Sequence, residues 1–178
     1  MMKSVWRCAR ALAAAAMLVC SVSGVAVAQS SRATGSATEQ EIGAVRAVYQ
    51  EVMQAIAANR LARRESTVQC DEDGWAFDVT VWRDRDGRVR QLTWEGGSDD
   101  HAETRRFYYD SAGRLRFVFA TRGAVNGTGE EERVWYAADR RILRRTKRLV
   151  QGPGYPVPDV PPIWNPAEWL RNPCSGDT

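Results

Sequence analysis

The sequence has a single histidine, four cysteines and no proline before residue 153. His101 alone, in 178 residues, excludes intramolecular sites that need two or three histidine ligands. The sequence also lacks a large excess of basic over acidic residues, and a net charge of +3 does not indicate a nucleic-acid binder. With 44% hydrophobic and 26% charged residues, the composition is that of one folded domain rather than a disordered chain.

Residues 1–28 have the pattern of a secretory signal peptide. Three basic residues precede an apolar run over 11–22, and small residues at Ala26 and Ala28 form a signal-peptidase site. We therefore expect cleavage after Ala28 and an exported protein, periplasmic or extracellular. An uncleaved anchor and lipoprotein processing at Cys20 are the alternatives; Val19 disfavours the second because a small residue is normally needed before such a cysteine.

The mature chain is formally neutral, because the signal holds three basic and no acidic residues and leaves 22 of each sign. This balance predicts no nucleic-acid partner, and the composition predicts no membrane span in the mature chain. Two cysteines remain, Cys70 and Cys174, and their separation resembles neither a redox motif nor a zinc site. In an oxidising compartment they predict one structural disulfide, closing a loop of about 105 residues and worth about 4–5 kcal/mol.

The mature chain divides into three zones. Residues 29–37 are small and polar and are predicted to be a linker. Residues 38–150 form a domain in which a helix over 39–61 begins at the capping box of Thr38 and Glu41. From Ser66 the hydrophobic period changes to two, which predicts about six antiparallel strands. The fold class is therefore α+β, with an amphipathic helix packed on an antiparallel sheet. Residues 151–178 form a proline-rich tail, expected to be extended and tied back to the domain.

Three similar segments predict that the sheet is built from hairpin repeats. They read VWRDRDGRVR (81–90), YYDSAGRLRF (108–117) and WYAADRRILRR (135–145). Four-residue loops at 84–87, 110–113 and 137–140 would place Trp82 opposite Val89, Tyr108 opposite Leu115 and Trp135 opposite Ile142. The same register places Glu132 opposite Arg145, Glu130 opposite Lys147 and Arg133 opposite Arg144. Because Arg140 stands where the first two loops have glycine, the third turn should differ or be strained.

The second segment resembles the tyrosine-aspartate (YD) hairpin repeat of bacterial secreted and surface proteins. The match is carried by Tyr109, Asp110, Gly113, Arg114 and Leu115, and the first segment keeps Asp84, Gly87, Arg88 and Val89. The whole arrangement resembles small uncharacterised exported bacterial proteins in which a helix is followed by β-hairpins. These resemblances imply a fold and a location, and they imply no activity.

The stretch 96–103 contains the residue types most suited to catalysis or metal binding. It contains Ser98, Asp99 and His101, which a hydrolase could use, and Asp99, Asp100, His101 and Glu103 could ligate a metal. Neighbouring residues of a flexible loop rarely form a nucleophilic relay, and the chain has no GxSxG elbow. We therefore expect a solvated loop between hairpins and predict no catalytic residue, metal or cofactor.

One sheet face is expected to interleave aromatic and arginine side chains. This aromatic–arginine face comprises Trp82, Arg106, Tyr108, Phe117, Arg133, Trp135 and Arg144. We expect the helix on the opposite face, so that this face is either covered by the tail or open to a protein or an envelope polymer. The favoured function is a non-enzymatic binding or structural protein of the bacterial envelope. The alternatives are an inhibitor or immunity-like partner of a secreted enzyme, and a hydrolase that uses 96–103. The pattern fixes neither the ligand nor the oligomeric state.

Overall fold

The computed structural model describes residues 26–70 and 76–174, and for residues 26–37 it describes the backbone alone. A long helix, seven strands and a short helix follow one another along the chain. Their bounds are α1 (Ala26–Ala57), β1 (Ala62–Gln69), β2 (Ala76–Arg83), β3 (Val89–Ser98), β4 (His101–Tyr109), β5 (Leu115–Ala124), β6 (Gly129–Tyr136), β7 (Ile142–Gln151) and α2 (Pro166–Trp169).

The strands form one antiparallel meander in the order β1 to β7. The predicted packing of a helix on an antiparallel sheet is confirmed, whereas the number of strands is seven rather than about six. The helix ends at Ala57, and Asn59 adopts a left-handed φ of 53°, as is common after a helix C-terminus. The extra strand, β1, is exposed along nearly all of its length, so its sequence lacks the alternation that marks a half-buried strand.

Helix α1 also begins earlier than predicted. Its backbone is helical from Ala26, so the predicted linker at 29–37 lies within the helix. No proline interrupts this stretch, and a small polar composition does not by itself exclude a helix. Residues 1–25 lie outside the described residues, so the signal peptide remains a prediction. Among the described residues, no helix is both long and apolar enough to cross a membrane.

Each of the three repeated hairpins contains a β-bulge that shifts the predicted register. The first pair after each turn is Arg83–Val89, Tyr109–Leu115 or Tyr136–Ile142. One residue is then skipped, so that Trp82 faces Gln91, Tyr108 faces Phe117 and Trp135 faces Arg144. The predicted aromatic–aliphatic pairs are therefore wrong. Five residues rather than four connect the strands of each hairpin, and the bulge adds one more, so that each aromatic residue lies opposite a residue two positions further along.

The third turn has the same backbone geometry as the other two, although it lacks their glycine. Arg140 adopts a φ of 74°, against 78° at Gly87 and at Gly113. The backbone hydrogen bonds between Ala137 and Arg141 repeat those of the first two turns. The turn is therefore strained rather than different, because a side chain is disfavoured at positive φ.

The predicted charge pairs across β6 and β7 are also displaced. Lys147 lies opposite Glu132, not Glu130, and Arg133 lies opposite Thr146. Arg145 still reaches Glu132 diagonally, with 3.4 Å between Nε and Oε1. The basic residues of β7 thus pair partly with glutamates of β6, as expected, but not at the predicted register.

The two faces of the sheet are covered by different elements, and the expected assignment is reversed. Val45 and Val52 of α1 pack on Tyr108 and Phe117, so the helix covers part of the aromatic–arginine face. The tail covers the opposite face. Apolar side chains occur on both faces, so strand alternation alone does not decide which element covers which face.

The tail is held on its face by apolar, hydrogen-bonded and covalent contacts. Val160 and Ile163 are buried in the main core, while Trp164 and Trp169 are partly buried against it. Tyr109 donates its hydroxyl hydrogen to the carbonyl of Ile163 over 2.9 Å. Cys70 and Cys174 form the disulfide, with their Cα atoms 5.3 Å apart. These contacts make the tail a layer of the fold.

Candidate functional site

Residues 96–103 do not form a long loop. Gly96 to Ser98 complete β3, and His101 to Glu103 begin β4, so only Asp99 and Asp100 connect the two strands. The expectation of a solvated loop between hairpins is therefore wrong. Within β3, Gly97 permits a close approach of the two strands, since a Cβ there would lie 2.1 Å from the carbonyl oxygen of His101.

Ser98, Asp100 and His101 meet at this turn, but not as a nucleophilic relay. Ser98 Oγ lies 2.8 Å from Nδ1 of His101, and Asp100 Oδ1 lies 2.9 Å from the same nitrogen. A Ser-His-Asp relay needs the serine and the carboxylate on different ring nitrogens. Hydrogen bonds from Ser98 and then from Tyr155 and His101 hold the pKa of Asp100 far below its usual range. The cluster therefore stabilises a charged turn residue and joins the turn to Tyr155 of the tail.

The four residues considered as metal ligands do not converge. Asp99 is exposed, whereas Glu103 is buried and points to Arg122, with 2.7 Å between the guanidinium and the carboxylate. Within the part of the chain that the structure describes, no group of three or more potential ligands is placed to hold a metal ion.

A buried network of charges lies beneath the tail, centred on Arg122. The Arg122 side chain is 4% exposed and contacts three carboxylates: Glu103 at 2.7 Å, Glu130 at 2.9 Å and Glu132 at 3.0 Å. Burial lowers the pKa of Arg122, but the charges of Glu103 and Glu132 outweigh burial and the pKa is raised. Arg105 adds a second cation on Glu103. The charges are mutually compensated, as buried charges must be.

This network holds the tail. Arg122 donates to the carbonyl of Pro158 over 3.1 Å, and the backbone N–H of Val160 donates to Glu132 over 3.3 Å. Asp159 binds Arg145 and Lys147, and its hydrogen bond from Lys147 lowers its pKa. The network is therefore structural: its groups are directed at the backbone and side chains of the tail.

The seven predicted residues of the aromatic–arginine face all lie on one face of the sheet. Tyr108 and Phe117 are buried under α1, while the others are partly exposed around it: Trp82, Arg106, Arg133, Trp135 and Arg144. The helix thus divides the face and leaves an opening along one of its sides.

A cleft of about 240 Å³ opens between α1 and the sheet at this place. This helix–sheet cleft is lined by Val45, Arg46, Tyr49, Phe117, Phe119, Arg133 and Trp135. The rings of Tyr49 and Phe117 meet nearly edge-on with centroids 5.7 Å apart, and those of Phe117 and Trp135 lie 5.2 Å apart. Edge-to-face and tilted contacts of this kind are the geometries that aromatic rings prefer.

The rim of the helix–sheet cleft is cationic. Arg133 lies over the ring of Phe119, 4.8 Å from its centroid. Its carboxylate partner, Glu131, also binds Arg148, so one negative charge serves two guanidinium groups. The hydrogen bond from Arg148 and then that from Arg133 lower the pKa of Glu131. Arg46 is exposed and has no ion-pair or hydrogen-bond partner among the described side chains.

A second, larger cleft of about 420 Å³ lies between the sheet and the tail. Its walls include Phe77, Trp94 and Trp169, and its polar lining includes Glu103 and Arg105. Those two charges already bind each other over 2.6 Å, and the Arg105 guanidinium stacks on Trp94 at 4.5 Å. The tail cleft therefore offers apolar surface without a free charge.

Sequence reasoning placed Phe117, Arg133 and Trp135 correctly on one face but missed Arg46, Tyr49 and Phe119. Tyr49 lies on the apolar stripe of the helix, a position typical of a core residue, yet it is 37% exposed. Its neighbour Arg46, three residues earlier, is exposed. Residues at that spacing are neighbours on a helix surface, so the sequence places this arginine beside the tyrosine. It does not show that the sheet leaves an opening next to them.

The fold and the site together define a class of architecture: a seven-stranded antiparallel meander with a helix on one face and a disulfide-tied proline-rich tail on the other. Neither a protein-family model, nor a curated protein, nor a solved structure matches the chain.

Proposed function

We propose that the protein is an exported binding protein of the bacterial envelope that catalyses no reaction, and that the helix–sheet cleft is its binding site. The observation that carries the proposal is the cleft itself, an opening at the protein surface surrounded by aromatic rings and two guanidinium groups. Arg133 shares its carboxylate partner with Arg148, and Arg46 has no ion-pair partner among the described residues. Binding sites combine an apolar concavity with a few directed polar groups in this way.

Two other features support a non-catalytic, exported role. Ser98 and Asp100 share one nitrogen of His101, so the most reactive-looking cluster lacks relay geometry. The disulfide between Cys70 and Cys174 is compatible with an oxidising compartment.

Export has a direct test: the N-terminus of the protein recovered outside the cytoplasm should be at or near Gln29, and retention of Met1 in a membrane fraction would contradict it.

The binding role is tested by comparing two aromatic substitutions. Phe119→Ala removes one wall of the cleft, whereas Trp82→Ala removes a partly buried aromatic side chain of the same sheet face outside the cleft. The mature protein and both variants, each shown to be folded by circular dichroism, are immobilised and incubated with an envelope fraction. We expect Phe119→Ala to lose the retained component and Trp82→Ala to keep it. Equal retention by all three proteins, or by none, would reject the helix–sheet cleft as the site.

A further inference from the structure

We propose that the helix–sheet cleft recognises an acidic segment of a protein partner, by inserting one aromatic side chain of that segment between Tyr49, Phe119 and Trp135 while a neighbouring carboxylate binds Arg46. This inference rests on the proposed function and names the class of partner. It follows from the size of the cleft, the identity of its walls and the charge at its rim.

The size of the cleft suits an anchor side chain rather than a whole ligand. Its volume of about 240 Å³ is below the range of about 300–1,000 Å³ in which pockets enclose small molecules. The helix surface beside it continues with Tyr49 and Met53, one turn apart and both more than a third exposed. A small pocket beside exposed apolar surface is the usual setting for an aromatic anchor at a protein–protein interface.

The walls of the cleft favour a ring over an aliphatic group. Tyr49, Phe117 and Trp135 present both ring faces and ring edges, since Tyr49 and Phe117 are inclined at 80° and Phe117 and Trp135 at 46°. A further ring can therefore join them edge-to-face, a contact worth more than its buried area alone.

The charges around the cleft favour an anion beside that ring. Arg133 shares Glu131 with Arg148, and Arg144, which lies 6.0 Å from the ring centroid of Trp135, binds Glu39. Arg46 has no ion-pair partner among the described residues, so these four guanidinium groups share two described carboxylates, Glu131 and Glu39. A carboxylate of the partner would complete this arrangement, whereas a cation would be repelled.

The experiment measures binding of capped, fluorescently labelled peptides to the folded protein by anisotropy. The first peptide has a central phenylalanine between glutamates, the second replaces the glutamates by lysines, and the third replaces the phenylalanine by alanine. We expect the first to bind at least tenfold more tightly than either of the others, and more weakly as salt is added.

Two charge-matched variants locate the carboxylate. Arg46→Gln should raise the dissociation constant of the peptide with phenylalanine between glutamates about fivefold. Arg60→Gln removes the same charge from an exposed residue beyond the end of α1 and should leave binding unchanged. Equal effects of the two substitutions would mean that the attraction is general and not made at the cleft.

The other outcomes separate this inference from the proposed function. Equal binding of the lysine peptide would overturn the acidic partner while leaving the cleft as a binding site. Phenylacetate binding as tightly as the peptide would assign the cleft to a free aromatic acid and overturn the protein partner. Binding of no peptide, with envelope retention still lost in Phe119→Ala, would also overturn the inference but not the proposed function.

Discussion

Replacing Arg122 by methionine should be among the most destabilising single changes in the sheet. Methionine keeps much of the length of the side chain and removes its charge, leaving three carboxylates within 2.7–3.0 Å of the vacated guanidinium position. Breaking a buried ion pair by removing one partner costs about 3–5 kcal/mol. Arg105 still neutralises part of Glu103, and Arg145 part of Glu132, so we expect a loss near the lower end, about 3 kcal/mol.

The assay is urea unfolding followed by tryptophan fluorescence, with Arg148→Met as the control. Arg148 also binds a carboxylate but is 64% exposed, so its replacement should cost no more than about 1 kcal/mol. The deficit of Arg122→Met should shrink as the pH falls from 7 towards 4, because carboxyl groups that lack a counter-charge in the folded state take up protons more readily than in the unfolded state. Equal losses in the two variants, or a deficit that does not change with pH, would refute a buried network that depends on charge.

Three further predictions follow from local geometry. Arg140→Gly should be more stable than Arg140→Ala by about 1 kcal/mol in thermal unfolding, since both lose the side chain and only glycine relieves the φ of 74°; equal stability would mean an unstrained turn. A double-mutant cycle between Tyr108 and Phe117, whose rings lie 5.7 Å apart, should give a coupling of about 0.5–1 kcal/mol, and additivity would reject the bulged register. The hydrogen bond from Lys147 lowers the pKa of Asp159, so the ion pairs of Asp159 stabilise the fold at neutral pH and are lost in acid. In urea unfolding, Asp159→Asn should therefore lower the free energy of unfolding at pH 7, and this loss should disappear as the pH falls through the lowered pKa. A loss that stays constant with pH would contradict this prediction.

The fold class was accessible from the sequence because it depends on periodicity. The apolar stripe of α1 and the alternation of β2 each report a one-sided burial pattern, and the glycines at 87 and 113 mark turns that need positive φ. Strand β1 was not accessible in the same way, because an exposed edge strand has no buried side to produce alternation.

The candidate site was only partly accessible, because it depends on which layer covers which face. Trp82, Phe117 and Trp135 were assigned to one face by counting residues from the turns. The connection is one residue longer than predicted and the bulge adds another, so the register shifts by two residues and these side chains keep the predicted face. The position of α1 over that face depends on packing among elements far apart in the sequence. The opening beside Tyr49 is a consequence of that packing, and no local pattern encodes it.

The bulges give the repeated motif a physical reason. The skipped residue is Arg90 in the first hairpin and Arg116 in the second, and both are more than nine-tenths buried. Arg90 donates through Nε to the carbonyl of Tyr109, and Arg116 donates to the carbonyl of Tyr136. Each arginine therefore binds the backbone of the next hairpin, just before its turn, and ties neighbouring repeats together.

The third hairpin has no successor, and its sequence reflects this. The skipped residue there is Leu143, which packs in the cluster beneath α1 instead of donating to a backbone carbonyl. An arginine at that position would lack the backbone acceptor that the next hairpin supplies to Arg90 and Arg116. The change from arginine to leucine thus marks where the array of hairpins ends, and an arginine three residues after the turn glycine indicates that another hairpin follows.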